Sequence, residues 1–76
     1  MNMSTLSFND LLIVIGSNLN RLRYEKNEKI ETVAKAIGVH HSVVSKIENG
    51  RYNGLNVKML QKLAKYYQED ITNILY

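Results

Sequence analysis

The chain of 76 residues contains no cysteine, no proline and no tryptophan. Without cysteine, neither a disulfide nor a thiolate metal site can support the core, and this absence is consistent with a cytoplasmic protein. The lack of proline suits an all-helical chain, because proline interrupts helices. No apolar run approaches the roughly 20 residues that span a bilayer, so we expect no membrane segment.

Positive charge is concentrated in the middle of the chain. The net charge is +3, and residues 21–58 carry eight basic side chains against four acidic ones. A local excess of this kind suits a surface that faces phosphates. A solvated basic face is an equally ordinary explanation, so charge alone does not decide the function.

Residues 30–50 have the spacing of two short helices joined by a tight turn. Each helix has an apolar face at helical periodicity. Gly38 lies between them, where the chain must leave the first helix through a left-handed conformation that glycine adopts cheaply. The apolar positions are Val33, Ala34, Ile37, Val43, Val44 and Ile47.

The outward face of the second of these helices is polar and free of acidic residues. It consists of His41, Ser42, Ser45 and Lys46. All four side chains can form hydrogen bonds with base edges, and a helix with such a face suits the major groove of DNA.

The chain resembles the Xre/Cro-repressor family of helix-turn-helix regulators. Residues 15–23 are similar to the first helix of that family, and residues 44–51 to its signature after the recognition helix. Residues 56–67 and 70–75 are similar to its fourth and fifth helices. The resemblance covers residues 15–75 and implies an all-α, five-helix, lambda-repressor-like fold.

We expect a flexible arm at residues 1–7 and a single helix-turn-helix domain at residues 8–76. Helix 1 is predicted from about Phe8 to Lys26 and helix 2 from Ile30 to Ile37. Helix 3 is predicted from near His40 to near Asn49. The predicted N-caps of helices 1, 4 and 5 are Ser7, Asn56 and Asp70. The predicted core faces of helices 1 and 4 are Phe8, Leu12, Ile15, Leu19 and Leu22, and Val57, Leu60, Leu63, Ala64 and Tyr67.

The resemblance implies a role for each polar residue of the second and third helices. Positions that contact bases are occupied here by His41, Ser42, Ser45 and Lys46. Positions that contact phosphates are occupied by Lys29, Lys35, His40, Asn49 and Arg51. The alternatives stay open for two of them, since His40 and Asn49 can each serve as a local helix cap.

Two further features concern residues next to the predicted contact residues. Arg23 and Glu48 occupy positions that form an ion pair in the resembling family, although both can instead be solvated. Ile30 stands where that family usually has a polar residue that touches a phosphate. Lys29, the preceding residue, is the candidate to replace that contact.

Metal and catalytic sites are not expected. His40 and His41 are adjacent, and neighbouring helical side chains point about 100° apart, so they are poorly placed to chelate one ion. His41 and Ser45 lie one turn apart, but a nucleophilic pair also needs a pocket and an orienting group. We therefore expect no cofactor, no metal and no enzymatic activity.

The predicted function is sequence-specific DNA binding in transcription regulation, as a repressor. The resemblance implies a bacterial or phage-encoded cytoplasmic protein on a palindromic operator. A homodimer is expected, with a surface made from apolar residues that the core does not need: Ile13, Val14, Met59, Tyr66, Leu75 and Tyr76. The alternatives are an antitoxin-type regulator with a toxin partner, a controller of a restriction system, and a protein-interaction module that has lost DNA binding.

Overall fold

A computed structural model describes residues 6–76, and this part of the chain forms five helices and no strand. The all-α, five-helix prediction is confirmed. Residues 1–5 of the predicted arm lie outside the described residues. The helices are α1 (Phe8–Glu25), α2 (Ile30–Ile37), α3 (His41–Glu48), α4 (Val57–Tyr67) and α5 (Thr72–Leu75).

Side-chain caps begin α1 and α4 as the sequence predicts. The Ser7 hydroxyl accepts a hydrogen bond from the Asp10 N–H at 3.1 Å, and the Asn56 side chain accepts one from Met59 at 2.9 Å. The predicted cap of α5 is displaced by one residue, because Ile71 occupies its N-cap position and Asp70 precedes it. The Asp70 carboxylate still accepts a hydrogen bond from the Thr72 N–H at 3.0 Å. These bonds satisfy N–H groups that the first turn of a helix leaves unpaired.

The first four helices end through left-handed residues. Gly38 ends α2 with φ 78°, and Gly50 follows α3 with φ 69°. In each case the next N–H bonds back across the helix end, as in the 2.9 Å bond from Arg51 to the Lys46 carbonyl. Asn27 and Gln68 take the same conformation, both with φ 55°, where glycine is cheaper. Helix α1 ends at Glu25 and not at Lys26.

One apolar core joins all five helices. Helix α1 packs against α3 and α5, and α2 packs against α3 and α4. The core therefore fixes α3 from two sides. The buried hydrophobic residues are Leu12, Ile15, Leu19, Leu22, Val33, Ala34, Ile37, Val44, Ile47, Leu60, Leu63, Ala64, Tyr67 and Ile74.

Two predicted core residues, Phe8 and Val57, are exposed. They are 58% and 75% exposed respectively. Each is the first residue of its helix, and side chains of a helix point toward its N-terminus. Their side chains therefore extend beyond the part of the helix that packs on the core. No helix within residues 6–76 has the length and apolar character needed to cross a membrane.

Candidate nucleic-acid interface

Helix α3 presents the predicted polar face to solvent. His41 and Lys46 are exposed, and Ser42 and Ser45 are half-buried beside them. The opposite face is held in the core by its buried apolar residues. The structure thus brings the four predicted base-contact residues together on one accessible helix surface, and none of these four is acidic.

The start of α3 is organised by His40. The residue precedes the helix in an extended conformation, and its Nδ1 accepts a hydrogen bond from the Ser42 N–H at 3.2 Å. The Ser42 hydroxyl lies 2.8 Å from the same nitrogen. The rings of His40 and His41 lie 4.2 Å apart. His40 is therefore the N-cap of α3, and helix 3 begins one residue later than the predicted His40.

The residues after α3 lie at the surface. The Asn49 amide donates to the Ser45 carbonyl at 2.9 Å, which is the local cap that the sequence left open. Its second amide hydrogen remains for another acceptor. Arg51 is exposed just beyond Gly50.

Helix α2 supplies two exposed basic residues. Lys29 precedes the helix without capping it through its side chain, and Lys35 lies on its outer surface. Ile30, the first residue of α2, is partly buried against the core. Since its side chain is apolar and packed, the exposed cation at this helix start is Lys29.

A buried ion pair connects α1 to the end of α3. Arg23 Nε donates to Glu48 Oε2 at 2.8 Å, and the two side chains are only 10% and 5% exposed. Asn20 donates to the other carboxylate oxygen at 2.8 Å, and Arg23 also donates to the Glu28 carbonyl at 3.1 Å. The hydrogen bond with Glu48 is the main cause that raises the pKa of Arg23. The end of α3 is therefore fixed by charge-assisted hydrogen bonds.

Gly16 allows α1 to approach the same end of α3 closely. A Cβ atom at this position would clash with the Ile47 carbonyl oxygen and lie 2.9 Å from that of Glu48. We call Gly16, Asn20 and Arg23 the α1 contact stripe, because they lie about one turn apart along one side of α1. Apolar periodicity and charge pattern predict no role for Gly16 or Asn20. An isolated glycine within a predicted helix was the available signal for Gly16.

Tyr67 is buried close to this ion pair. Its hydroxyl has no hydrogen-bond partner among residues 6–76. Burial is the main cause that raises its pKa, and the nearby Glu48 carboxylate raises it further. Tyr67 is therefore a neutral, buried residue beside the ion pair that holds the end of α3.

Two residues of the predicted dimer surface, Ile13 and Tyr66, lie beside different parts of the chain. The backbone of Ile13, in the first half of α1, lies against Gly50. Tyr66 lies near Glu28, beyond the other end of α1, and burial and this carboxylate raise its pKa.

Within residues 6–76, no three His, Asp or Glu side chains gather as a metal site requires.

The sequence pattern of a known family matches most of this chain. The model of the helix-turn-helix family designated HTH_3 matches residues 20–74. The chain belongs to this family, which is of the Xre and Cro-repressor type. The helix-turn-helix protein is accordingly a DNA-binding transcription regulator, and its family and fold are not those of enzymes. A search of curated proteins gives no significant match.

Solved structures support the fold of this helix-turn-helix protein. It is similar to the restriction-modification controller protein C.AhdI from Aeromonas hydrophila, with 28% identity and a TM-score of 0.77. That match covers 83% of this chain and 94% of the controller chain. The fold is also similar to that of the hypothetical transcription factor NHTF from Neisseria, with 24% identity and a TM-score of 0.81 over 93% of this chain and 80% of that chain.

Proposed function

We propose that the protein is a sequence-specific repressor that reads the major groove with α3. The observation that carries this proposal is the contrast between the two faces of α3. Its polar, acid-free face is accessible, whereas its opposite face and its C-terminal end are fixed in the core. A rigid helix with such a face supplies hydrogen-bonding groups to base edges without first becoming ordered.

His41, Ser42, Ser45 and Lys46 are the proposed base contacts. Lysine donates to the guanine acceptors, while histidine and serine can contact several base edges. These contacts supply the choice of site.

The proposed phosphate contacts surround that face. Lys29 and Lys35 are exposed on α2, and Arg51 is exposed beyond α3. His40 and Asn49 flank α3 and each keep a free N–H group after capping the helix. Contacts of this kind fix the orientation of the protein on DNA and supply much of its salt-dependent affinity.

Control of a restriction-modification system is a second candidate function. It is supported by the similarity to the controller protein C.AhdI, of which the match covers 94%. The repressor and controller proposals share the same DNA-binding surface and differ in the genes that are regulated. Reporter assays on the promoters of the neighbouring genes separate them.

Site selection from random double-stranded DNA tests the proposal directly. We expect one enriched palindromic sequence, and its affinity should fall steeply when salt is raised. Enrichment of no sequence would overturn specific recognition. If, in addition, no DNA is bound at low salt, the protein would be an interaction module, and affinity purification with mass spectrometry would then identify a toxin or another protein partner.

We further propose that two copies meet through an apolar cleft between the starts of α1 and α4 and the end of α5. Phe8, Leu11, Val57 and Leu75 are among the residues that line this cleft of about 180 Å³, and none of the lining residues is charged. In a two-fold contact the same surface patch meets its own copy. An uncharged patch avoids the like-charge repulsion that a charged one would suffer there.

The dimer follows from the needs of DNA recognition. A single small module buries only about 600–1,000 Å² on DNA, and dimers of this motif read half-sites about 34 Å apart. The cleft adjoins Leu55 and Asn56, just after the loop that follows α3. None of the residues lining the cleft belongs to α3, so contact there leaves the polar face of α3 free for DNA.

Sedimentation at micromolar concentration distinguishes the cleft from the dimer surface predicted from the sequence. Val57→Asp adds a charge at a residue that is 75% exposed, and Ile13→Asp does so at one that is 56% exposed. We expect a wild-type dimer, a monomeric Val57 variant and a dimeric Ile13 variant, all with the same helicity. The reverse pattern would favour the sequence-predicted surface, and a wild type that is monomeric also on DNA would overturn the dimer.

A further inference from the structure

The contact between His40 and Ser42 determines which atom of the imidazole carries a proton. The Ser42 backbone N–H donates to His40 Nδ1 at 3.2 Å. A backbone N–H group can only donate, so Nδ1 must offer a lone pair. The neutral ring then carries its hydrogen on Nε2, which is directed away from this contact.

The same contact fixes the role of the Ser42 hydroxyl. Its oxygen lies 2.8 Å from Nδ1, closer than the Ser42 nitrogen at 3.2 Å. The single lone pair of Nδ1 is therefore shared by the N–H and the O–H in a three-centre bond, in which the hydroxyl is the nearer donor. The hydroxyl must therefore donate to the ring. A serine has one O–H hydrogen and two acceptor lone pairs, so only lone pairs remain for a partner outside the protein.

Helix geometry places Ser42 on the proposed DNA surface. Ser42 lies one helical turn before Ser45 and Lys46, on the face opposite the buried Val44 and Ile47. In the major groove the hydrogen-bond donors are the N6 amino group of adenine and the N4 amino group of cytosine. Guanine O6 and thymine O4 are acceptors.

We infer that His40 is a positioning residue that makes Ser42 an obligate acceptor, so that Ser42 recognises the amino group of adenine or cytosine. A keto oxygen of guanine or thymine in the same place would face lone pairs and be rejected. This inference rests on the proposed function, in which α3 lies in the major groove.

Ser45 provides an internal comparison. Among residues 6–76 its hydroxyl has no contact like that of Ser42 with His40, and only its backbone carbonyl accepts the Asn49 amide. A free hydroxyl rotates and can either donate or accept. Ser45 should therefore tolerate both amino and keto groups, whereas Ser42 should not.

The test begins with the site selected by the wild-type protein. Ser42→Ala identifies the base pair that depends on Ser42. At that base pair an analogue without the amino group, purine for adenine or 2-pyrimidinone for cytosine, is then introduced. We expect a loss of about tenfold in wild-type affinity, which is one good hydrogen bond, and no further loss for Ser42→Ala.

Variants of His40 separate positioning from a purely structural role. Inverting the Ser42-dependent base pair should cost the wild type about tenfold and His40→Ala less than about threefold, because the released hydroxyl can donate. His40→Asn should keep the wild-type ratio of affinities for the two orientations of this base pair, since its side-chain oxygen can accept the same two bonds. Its overall affinity should fall, because the proposed phosphate contact from Nε2–H is lost. The preference that depends on Lys46 should be unchanged in both variants.

Several results would overturn the inference. The first is a loss of affinity when a keto oxygen is removed from the base pair but not when the amino group is removed. The second is a His40→Ala variant that keeps full discrimination. The third is a selected site with no Ser42-dependent base pair. In each case a selected site exists, so the proposed function stands. A selection that enriches no sequence overturns the proposed function, and the inference with it.

Discussion

The two ends of α3 are held in different ways. Its C-terminal end is fixed from outside by the α1 contact stripe, through the buried pair of Arg23 and Glu48 and the close approach at Gly16. Its N-terminal end is held by local bonds between His40 and Ser42, and these residues remain exposed or half-buried. The difference separates the part of α3 that sets its position from the part proposed to contact bases.

This comparison predicts that changes at the two ends have different consequences. Substitutions at the fixed end should lower the free energy of unfolding, and DNA affinity should fall as a result. Substitutions at the exposed end should alter the choice of DNA sequence while stability stays nearly constant.

The two largest expected effects are of similar size, and the first is that of Gly16→Ala. Replacing a mid-helix glycine by alanine usually stabilises a protein by about 0.5–1 kcal/mol. Here the added Cβ would lie 2.9 Å from the Glu48 carbonyl oxygen and closer still to that of Ile47. We expect destabilisation by about 3 kcal/mol, measured by urea unfolding. Ser17→Ala, at the exposed neighbouring position, is the control, and a similar gain for both variants would contradict the account.

The second effect is the loss of the buried carboxylate. Glu48→Ala leaves the guanidinium of Arg23 buried without its partner and should cost about 3 kcal/mol of stability. Glu25→Ala is the matched control, because Glu25 pairs with Arg21 at 3.5 Å with both side chains more than half exposed. That change should cost less than about 1 kcal/mol. Equal costs in urea unfolding would show that burial does not distinguish the two pairs.

A smaller effect concerns the unpaired hydroxyl of Tyr67. Tyr67→Phe removes a buried polar group that has no partner among residues 6–76, and it should stabilise the protein by up to about 1 kcal/mol near neutral pH. A loss of stability instead would mean that the hydroxyl is hydrogen-bonded in solution.

Tyr67→Phe should also change how the free energy of unfolding depends on pH in the alkaline range. Burial raises the pKa of Tyr67, so the folded state keeps the phenol proton that the unfolded chain loses above about pH 10. Stability from this group is complete below that pH and falls as pH rises further. Unfolding at several pH values between about 9 and 11 should show a shallower decline for Tyr67→Phe than for the control Tyr24→Phe, whose ring is 69% exposed.

The smallest expected effect is that of Gln68→Gly, which gives the end of α4 the residue type found at the end of α3. Glycine occupies the left-handed position after α3, whereas Gln68 occupies it after α4 with φ 55°. Gln68→Gly should stabilise by about 0.5 kcal/mol, because glycine avoids the Cβ penalty of this conformation. Gln61→Gly, within the exposed face of α4, should instead destabilise by about 1 kcal/mol. Thermal unfolding of the pair measures both, and two losses would contradict the assignment of strain to Gln68.

Local features of the fold were accessible from the sequence. Apolar periodicity predicts the core faces of the helices, and capping residues such as Ser7 and Asn56 predict where two of them begin. Gly38 predicts the end of α2, because its left-handed conformation is a property of the local backbone. The resemblance to the Xre/Cro-repressor family supplies the order of the five helices.

The features that could not be predicted from the sequence depend on how the helices cross. Periodicity assigns Gly16 and Asn20 to a side of α1, but it does not state which neighbour that side meets. Phe8 and Val57 have the right residue type and spacing for the core, yet they lie in first turns that extend past it. For the same reason the sequence could supply surplus apolar residues for a dimer, but not whether they form one surface. The base and phosphate contacts remain predictions.

The most direct test of the account is the affinity of two variants for the selected site and for random DNA. Lys46→Ala should lose about 1–3 kcal/mol on the selected site and little on random DNA, because it removes a base contact. Arg51→Ala should lose equally on both and show a shallower salt dependence, because it removes a phosphate contact. Equal losses on both DNAs for Lys46→Ala, at unchanged stability, would contradict the proposal that the exposed face of α3 chooses the site.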